Sequence, residues 1–405
     1  MAQTIDRSVR RRAEESRFER NGQSDTDCVV VGASFAGLAS AFALARTGLH
    51  VTVLEKKAEP GAKLHTTGII VKDAVDQIAL LDALPKAFVR RIPGVRLYAP
   101  NLRHVDLEAP GHYFLATDTP AVMRWLASET ERAGATIAYD TAFTGARRLQ
   151  SGFEVAGFGT TRFLIGADGP RSRVAGALGL GANTRFLAGV EYEYAGATLA
   201  VPDKLHCFIN RRLARGYIGW ILAGVNGVQA GLARRLDGRG ALKPNEAMDE
   251  FLAKIAPVID LRGTKPTGIR AGIIPCGGVV HPVAVSRTLL VGDAAGMVSP
   301  VTAGGIHTAL KHGLAAGNAV ADFLHGRAED PSGWFVRSYP KFRVKRLLRT
   351  LFDHFQTDLA FNWLLATWPM RAAASIVYFH HAGVFDPAER SGHKLALPPM
   401  REGPP

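Results

Sequence analysis

The sequence predicts a mixed α/β (α+β) chain: a parallel βαβ domain interleaved in sequence with an antiparallel-sheet domain, closed by a helical C-terminal cap. Three observations lead there. Short β-branched apolar runs at 28–31 and 51–54 bracket a helical pattern that opens on glycines. Two further apolar runs, 163–165 and 289–291, end in Gly-Ala-Asp-Gly and Gly-Asp. Between those two lie four segments of strand character separated by turn residues, the pattern of an antiparallel sheet.

The first unit sets the argument. Cys28 to Val31 has the composition of a buried parallel strand. It runs into Gly32, Ser34 and Gly37, a G-x-S-x-x-G spacing completed by Phe35 and Ala36, and then into a helical pattern over Leu38–Arg46 that stops at Gly48. A second strand, His50–Leu54, ends on Glu55. In a Rossmann-like βαβ unit the first glycine makes the tight turn, the second position lets backbone approach a pyrophosphate, and the third lets helix pack on strand. The helix N-terminus adds unpaired N–H groups and a partial positive charge. Glu55 follows Gly32 by 23 residues, close to the roughly 20 expected of an acid that binds a ribose hydroxyl pair. Serine is the smallest side chain that can replace the middle glycine, and its hydroxyl can donate to a phosphate oxygen. The unit predicts a bound dinucleotide and leaves NAD and FAD both open. Lys56 and Lys57 suit a 2′-phosphate, although two lysines after a strand are more often simply solvated.

Two distant stretches narrow the choice. The strand Phe163–Ile165 leads into Gly166, Ala167, Asp168 and Gly169, followed by Arg171, Ser172 and Arg173. The strand Leu289–Val291 leads into Gly292 and Asp293, then Pro300, Gly304, Gly305 and a helix that starts near Ile306. The ordered set GxSxxG…Glu, GADGxxS and GDAAG…P…GGI resembles the flavoprotein superfamily of para-hydroxybenzoate hydroxylase and the geranylgeranyl reductases, from residue 27 to about 324. The resemblance implies non-covalent FAD, with its ADP half on the first βαβ unit, its ribityl chain on Asp293 and its pyrophosphate backed by the Asp168 segment. Physics agrees with this placement: glycines opening a helix turn N–H groups toward a flavin edge that gains negative charge on reduction. No second glycine fingerprint follows a strand, so NAD(P)H or another reductant is expected to bind only transiently.

The middle of the chain, read as strands at 186–196, 204–210, 216–224 and 227–233 with a helix at 244–259, is expected to carry substrate over the flavin. Tyr217 and Trp220 stand where the geranylgeranyl reductases carry a Gly-Tyr-x-Trp run. They are read either as the lining of an apolar tunnel or as ordinary strand core. The stretch "PGAKLHTTG" matches that family's Pro-Gly-x-Lys-x-Cys-Gly-Gly run beside the flavin: Lys63 keeps the lysine, and His65 takes the place of the cysteine. His65 is a candidate proton donor, because an unperturbed imidazole titrates near neutral pH, or else a structural histidine. The family's arginine at the start of the next helix is replaced by Thr119, with Arg124 one turn later as its expected substitute.

Composition sets the remaining bounds. A net charge of +13 favours anionic partners. No nucleic-acid motif accompanies it. Cys28, Cys207 and Cys276 are too few and too scattered for a disulfide framework or a zinc site, so no metal is expected and a reducing, cytoplasmic setting is. Residues 1–26 are polar, contain no apolar run and read as a disordered tail rather than a secretory signal. The stretch 360–379 is interrupted by Asn362, Pro369 and Arg371 and reads as a core or interfacial segment rather than a membrane span. Residues 331–351 contain no acid and six cations among apolar residues. They read as a basic amphipathic helix that either touches an anionic membrane or covers the nucleotide domain.

The expected organisation is therefore a tail (1–26), a discontinuous FAD-binding domain (27–70, 115–183 and 265–330), a substrate domain (71–114 and 184–264) and a helical C-terminal region (331–405). The expected activity is FAD-dependent reduction of C=C bonds in an apolar, isoprenoid-type substrate. A flavin-peroxide monooxygenase and a non-catalytic FAD-binding protein stand as alternatives. No halogenase-like W-x-W-x-I-P run is present.

Overall fold

The computed structural model describes residues 25–235, 243–261 and 263–379, so all but the last two residues of the expected N-terminal tail lie outside it. Strand β1 (Thr26–Val31), helix α1 (Phe35–Ala45) and β2 (Val51–Leu54) form the βαβ unit, with β1 and β2 parallel in the register Val31 to Leu54. The helix starts three residues earlier than its apolar pattern because Ser34 caps it.

The chain then leaves this layer. Strand β3 (Ile69–Val71), helix α2 (Lys72–Gln77) and strands β4 (Val89–Ile92), β5 (Gly94–Tyr98), β6 (His104–Glu108) and β7 (Phe114–Thr117) follow, and β3, β7 and β4 make a small antiparallel sheet. Helix α3 (Thr119–Arg132) returns to the first layer. There β8 (Thr136–Ala138), the hairpin β9 (Ala146–Arg148) and β10 (Phe153–Val155), β11 (Gly159–Gly166) and helix α4 (Arg173–Leu178) follow. A second departure gives β12 (Phe186–Ala195), β13 (Lys204–Phe208), β14 (Gly219–Ala223), β15 (Gly227–Arg235), α5 (Pro244–Ile255) and β16 (Gly268–Pro275). The last return supplies β17 (Ala284–Val285), β18 (Thr288–Leu290) and the long α6 (Ile306–Leu324). Helices α7 (Pro331–Trp334), α8 (Arg343–Phe355), α9 (Asp358–Leu364) and α10 (Trp368–Phe379) finish the described chain.

Two sheets organise these elements. In the first, β18, β11, β1, β2 and β8 run parallel in that order. Strand β1 sits between partners reached in opposite directions along the sheet, a switch point of the kind where open α/β sheets bind ligands beyond their carboxyl ends. The second sheet has seven strands in the order β16-β12-β15-β14-β13-β5-β6. Its faces differ: Val190, Tyr192 and Leu232 pack toward Phe251 of α5, whereas Leu187, Trp220 and Leu222 share a core with Leu365 and Phe379 of the C-terminal helices.

Two features depart from the sequence reading. The sheet is not wholly antiparallel, since β13 pairs with β5 in parallel and thereby recruits the β5–β6 hairpin. Residues 268–275, expected in the nucleotide domain, instead pair along their whole length with β12 as an edge strand of the second sheet. An edge strand buries only part of its side chains, so its sequence lacked the apolar run that would have marked it.

Helix α1 is buried along its whole length and lies directly on α6. The approach is close enough that a Cβ at Gly317 would stand 2.5 Å from the Ser40 carbonyl oxygen, and one at Gly313 equally close to that of Ala36. Backbone blocks both positions, so no rotamer change relieves the clash. Gly317→Ala is expected to lower the unfolding free energy by about 1–3 kcal/mol, the usual cost of overpacking, read as a lower urea midpoint; an unchanged midpoint would show that the two helices can separate freely.

Candidate cofactor and substrate site

Four strand ends meet at one place. The carboxyl ends of β1, β2, β11 and β18 carry Gly32, Glu55, Asp168 and Gly292, and all four line one cavity of about 2500 Å³. Ordinary small-ligand pockets run to roughly 1000 Å³, so this space holds more than one small molecule. Ser34, Phe35, Ala36, Lys56, His65, Tyr217, Trp220, Asp293, Gly304, Gly305 and Ile306 also line it. Gly37, Lys63, Arg124 and Pro300 are not among its lining residues.

Backbone conformation and a capped helix build the nucleotide end. Gly32 has φ +103°, and a Cβ there would come within 2.6 Å of the Ala167 carbonyl oxygen. Gly37 acts through packing: its Cβ would sit 2.0 Å from the Gly32 carbonyl oxygen. Ser34 accepts from the Gly37 N–H at 3.2 Å and donates to the Ala167 carbonyl at 3.0 Å. A hydroxyl has one hydrogen, and here that hydrogen is committed to protein. The expected phosphate donation by Ser34 is therefore replaced by a tie between the first turn and the end of β11. Glu55 is buried and accepts the Ala33 N–H at 2.7 Å and the Lys57 N–H at 3.0 Å, which aims its carboxylate across the turn. Asp168 accepts from the Ser172 hydroxyl and from the Arg173 and Val174 N–H groups, so it holds the start of α4 in place.

The opposite wall carries a different set. Burial pushes the Asp293 carboxyl up to about 6, with no charged neighbour offsetting the loss of water. Gly305 caps α6 without a side chain, and the place of a Cβ on it lies 3.5 Å from Asp293 Oδ1. A nineteen-residue helix thus turns its N-terminus, with Ile306 and His307, into the cavity beside a buried carboxyl. Pro300 is held from behind, because Arg349 of α8 donates to its carbonyl at 3.2 Å. That arginine is 5% exposed and lines the cavity with Phe342 and Phe352. The basic stretch read as either membrane-facing or covering therefore covers the cavity with one face, while Arg343, Arg346 and Leu347 point outward.

Arg124 does not stand in for an arginine at Thr119. It is more than half exposed and pairs with Glu59 at 3.4 Å, outside the cavity. Thr119 is fully buried and bonds to Thr117 and to the Thr67 carbonyl. An arginine does reach it, but from β16: Arg270 Nη1 lies 3.3 Å from the Thr119 hydroxyl and 3.0 Å from the Thr66 carbonyl oxygen. Arg270 also pairs with Glu193 and stands 3.7 Å from Glu191.

Glu191 went unnoticed in the sequence, where "VEYEY" reads as ordinary strand alternation. The alternation of β12 sends Val190 and Tyr192 toward α5 and Glu191 toward the cavity, where it is 3% exposed. Trp220 Nε1 donates to its Oε2 at 3.1 Å, and Oε1 has no hydrogen bond among the described residues. Burial pushes this carboxyl up, partly opposed by Thr67, Arg270 and Trp220. Tyr217 meets Trp220 edge-on at 6.3 Å and donates its hydroxyl to the Thr302 carbonyl. Both aromatics are cavity wall and strand core at once. His65 Nδ1 lies 2.6 Å from the Ala271 carbonyl oxygen, which only accepts, so Nδ1 carries the proton and Nε2 of the neutral ring is bare.

Comparison with known proteins follows from this geometry. The family described as FAD binding domain matches residues 25–339. Digeranylgeranylglycerophospholipid reductase 2 of Methanosphaera stadtmanae is 29% identical over 318 residues, covering 74% of this chain and 79% of its own. The digeranylgeranylglycerophospholipid reductase of Methanocaldococcus jannaschii is 28% identical over 344 residues, 81% of this chain and 84% of its own. A geranylgeranyl bacteriochlorophyll reductase-like protein from Thermoplasma acidophilum superposes with a TM-score of 0.69 at 18% identity, over 86% of this chain and 98% of that one. A flavin-dependent brominase superposes with a TM-score of 0.63 at 13% identity, over 87% and 90%. The structural likenesses establish the fold, which reductases and halogenating enzymes share.

Removing Arg270 takes away the cation that pairs with both Glu191 and Glu193. Arg270→Ala is expected to destabilise the fold by about 3 kcal/mol at pH 8. Protonation of Glu191 relieves the unpaired charge, so the deficit should shrink as pH falls. Urea unfolding at pH 8 and pH 5.5 checks this; a deficit that grows on acidification would assign the loss to something other than unpaired carboxylates.

Proposed function

This chain belongs to the FAD binding domain family, and from that premise we propose that it is an FAD-dependent oxidoreductase that reduces C=C bonds of an apolar, isoprenoid-type substrate. One observation carries the reading: a single cavity joins a dinucleotide cradle at four strand ends to an apolar lobe that contains a buried carboxyl. The names of the relatives, which are reductases of digeranylgeranylglycerophospholipids, support the substrate class.

The residues present fit FAD. The Gly32 turn is open where a side chain would block it, and the N-terminus of α1 offers the Phe35 and Ala36 N–H groups to a pyrophosphate. Glu55 is aimed for a ribose, Asp293 for the hydroxyls of the ribityl chain, and Gly304 and Gly305 with α6 for the pyrimidine edge. Lys56 sits at the mouth beside Glu55. Lys63 and Arg124 are dropped from the cofactor set, and Gly37 and Pro300 act by holding their neighbours. FAD held by these residues would supply, once reduced by NAD(P)H or another donor, the hydride for one carbon of the double bond.

The chain's own work is to hold the alkene, exclude water and deliver a proton to the second carbon. Tyr217 and Trp220 line the apolar lobe between the cofactor loop and β12. Glu191 is the proton donor in this reading, because burial pushes its carboxyl up against the opposing pull of Arg270, and Oε1 makes no hydrogen bond among the described residues. His65, in the family's cysteine position, donates only as imidazolium and is assigned the lesser part of orienting substrate.

Anaerobic reduction followed by mixing with a prenyl alkene tests the whole reading. Reoxidation by alkene with saturated product is expected, and a lasting flavin peroxide on exposure to oxygen would overturn it. Glu191→Gln should slow alkene reduction by roughly 100-fold, within the usual reach of general acid catalysis, with FAD retained. His65→Ala should cost less than about tenfold on the same scale; a larger loss there than at Glu191 would reverse the two roles. Asp293 gives a pH test. Hydroxyl donors stabilise its ionised form, so binding lowers a carboxyl that sits at about 6 in the free protein. FAD affinity is therefore level above that pH and weakens as pH falls below it, and titration of apoprotein with FAD between pH 8 and pH 5 reads this directly. An Asp293→Asn protein should show a weaker but pH-independent affinity.

A further inference from the structure

Helices α9 and α10 carry an outer face that the cavity does not explain. Leu359 is 74% exposed, Trp363 81% and Trp368 80%, all within ten residues across the short 365–367 link. Leu359 and Trp363 are i and i+4 on one helix and so share a face. Solvated single hydrophobic residues are ordinary, but two nearly bare tryptophans and a leucine on adjoining elements mark an interaction site. The inner sides of the same helices contribute Phe361, Leu365, Ala374 and Tyr378 to the cavity wall. Leu364 belongs to both, lining the cavity while 45% exposed. The patch is thus the outer skin of the apolar lobe.

Charge selects the occupant. Residues 331–379 contain seven Lys and Arg against two acids. Asp353 is neutralised by Arg235 and Arg349, which leaves Asp358, whose carboxylate accepts the Arg211 backbone N–H, as the one acid of the stretch without a cation partner among the described residues. Lys341, Arg343, Arg346 and Arg371 are exposed. Tryptophan belongs at the boundary between headgroups and acyl chains, and cations nearby are drawn to anionic lipid. No described helix is long and apolar enough to cross a membrane, so the contact lies at one surface.

We infer that helices α9 and α10 dock on an anionic lipid surface through Leu359, Trp363 and Trp368, and that the apolar lobe opens toward the lipid there. The docking stands on the surface itself. The route by which substrate enters rests on the alkene-reductase reading above.

The test uses the full FAD-loaded chain with vesicles of phosphatidylcholine alone or with phosphatidylglycerol, at low and high salt. Flotation should show at least tenfold tighter binding to the phosphatidylglycerol vesicles at low salt, weakening as salt rises. Trp363→Ala with Trp368→Ala should weaken that binding by at least tenfold while the flavin spectrum and far-ultraviolet circular dichroism stay as in the parent. The inference is overturned if the parent chain floats with neither vesicle, if the double variant floats as well as the parent, or if the patch instead joins two copies of the chain in solution. Activity separates the two readings. A double variant that reduces a short, water-soluble prenyl alkene at the parental rate but loses vesicle-borne substrate supports both. A chain that docks yet reduces no alkene refutes the proposed function and leaves the docking intact.

Discussion

Everything at the site depends on how closely backbone approaches backbone around α1. Gly32 turns against the end of β11, Gly37 packs onto Gly32, and Gly313 and Gly317 of α6 press on the carbonyls of Ala36 and Ser40. Side chains at these positions would push α1 and α6 away from the sheet and from each other. The spacing matters because both helices aim their N-termini at the same cavity. The partial positive charge at a helix end falls off within its first turn, so a displacement of an ångström or two weakens its effect on a bound anion. Ser34 adds the cross-tie, with its single hydroxyl hydrogen spent on Ala167. The middle position of the fingerprint thereby links two strand ends.

How much of this the sequence disclosed follows from how local each signal is. Glycine-rich turns after apolar strands are local, and three of them in order named both the parallel sheet and the nucleotide end of the cavity. Arg270 was hidden because its partner Thr119 lies 151 residues away, on an element reached only after the chain has crossed layers twice. Arg124 looked suitable because it was near in sequence, but one turn of α3 carries it to the outer side with Glu59. Glu191 was hidden by a different mechanism. A strand with one polar residue in two normally shows that residue to water. Here both faces of β12 are covered, so the same alternation buries a carboxylate. Strand β16 was misassigned for the related reason that an edge strand needs no apolar run.

A shared fold decides little about chemistry. The parallel sheet and its cradle serve any flavoprotein of this architecture, as the likeness to both a reductase-like protein and a brominase shows. Differences of chemistry have to come from the second sheet and from what is laid over it. In this chain that region offers an indole N–H tied to a buried carboxyl, a tyrosine whose hydroxyl is spent on the Thr302 carbonyl, and aliphatic wall. Such a lobe binds through burial of apolar area and sets one buried carboxyl, pushed up by burial, among its walls. Those are the requirements of reducing an unactivated alkene, and they suit a hydrocarbon chain better than an aromatic acid.

The C-terminal helices complete the site rather than decorate it. The stretch from α9 to α10 closes the core that Trp220 and Leu222 share with Leu365 and Phe379, and without α8 the loop at Pro300 would lose its Arg349 contact. That arginine is anchored by Asp353, which also pairs with Arg235 at the end of β15. One ion-pair cluster therefore spans the cap, the substrate sheet and the loop that leads to Gly304 and Gly305. A buried cluster of this kind is weak evidence for stability, because desolvation offsets most of its attraction. Its value lies in geometry: through Arg349 it ties the cap to the Pro300 carbonyl, a few residues before Gly304 and Gly305.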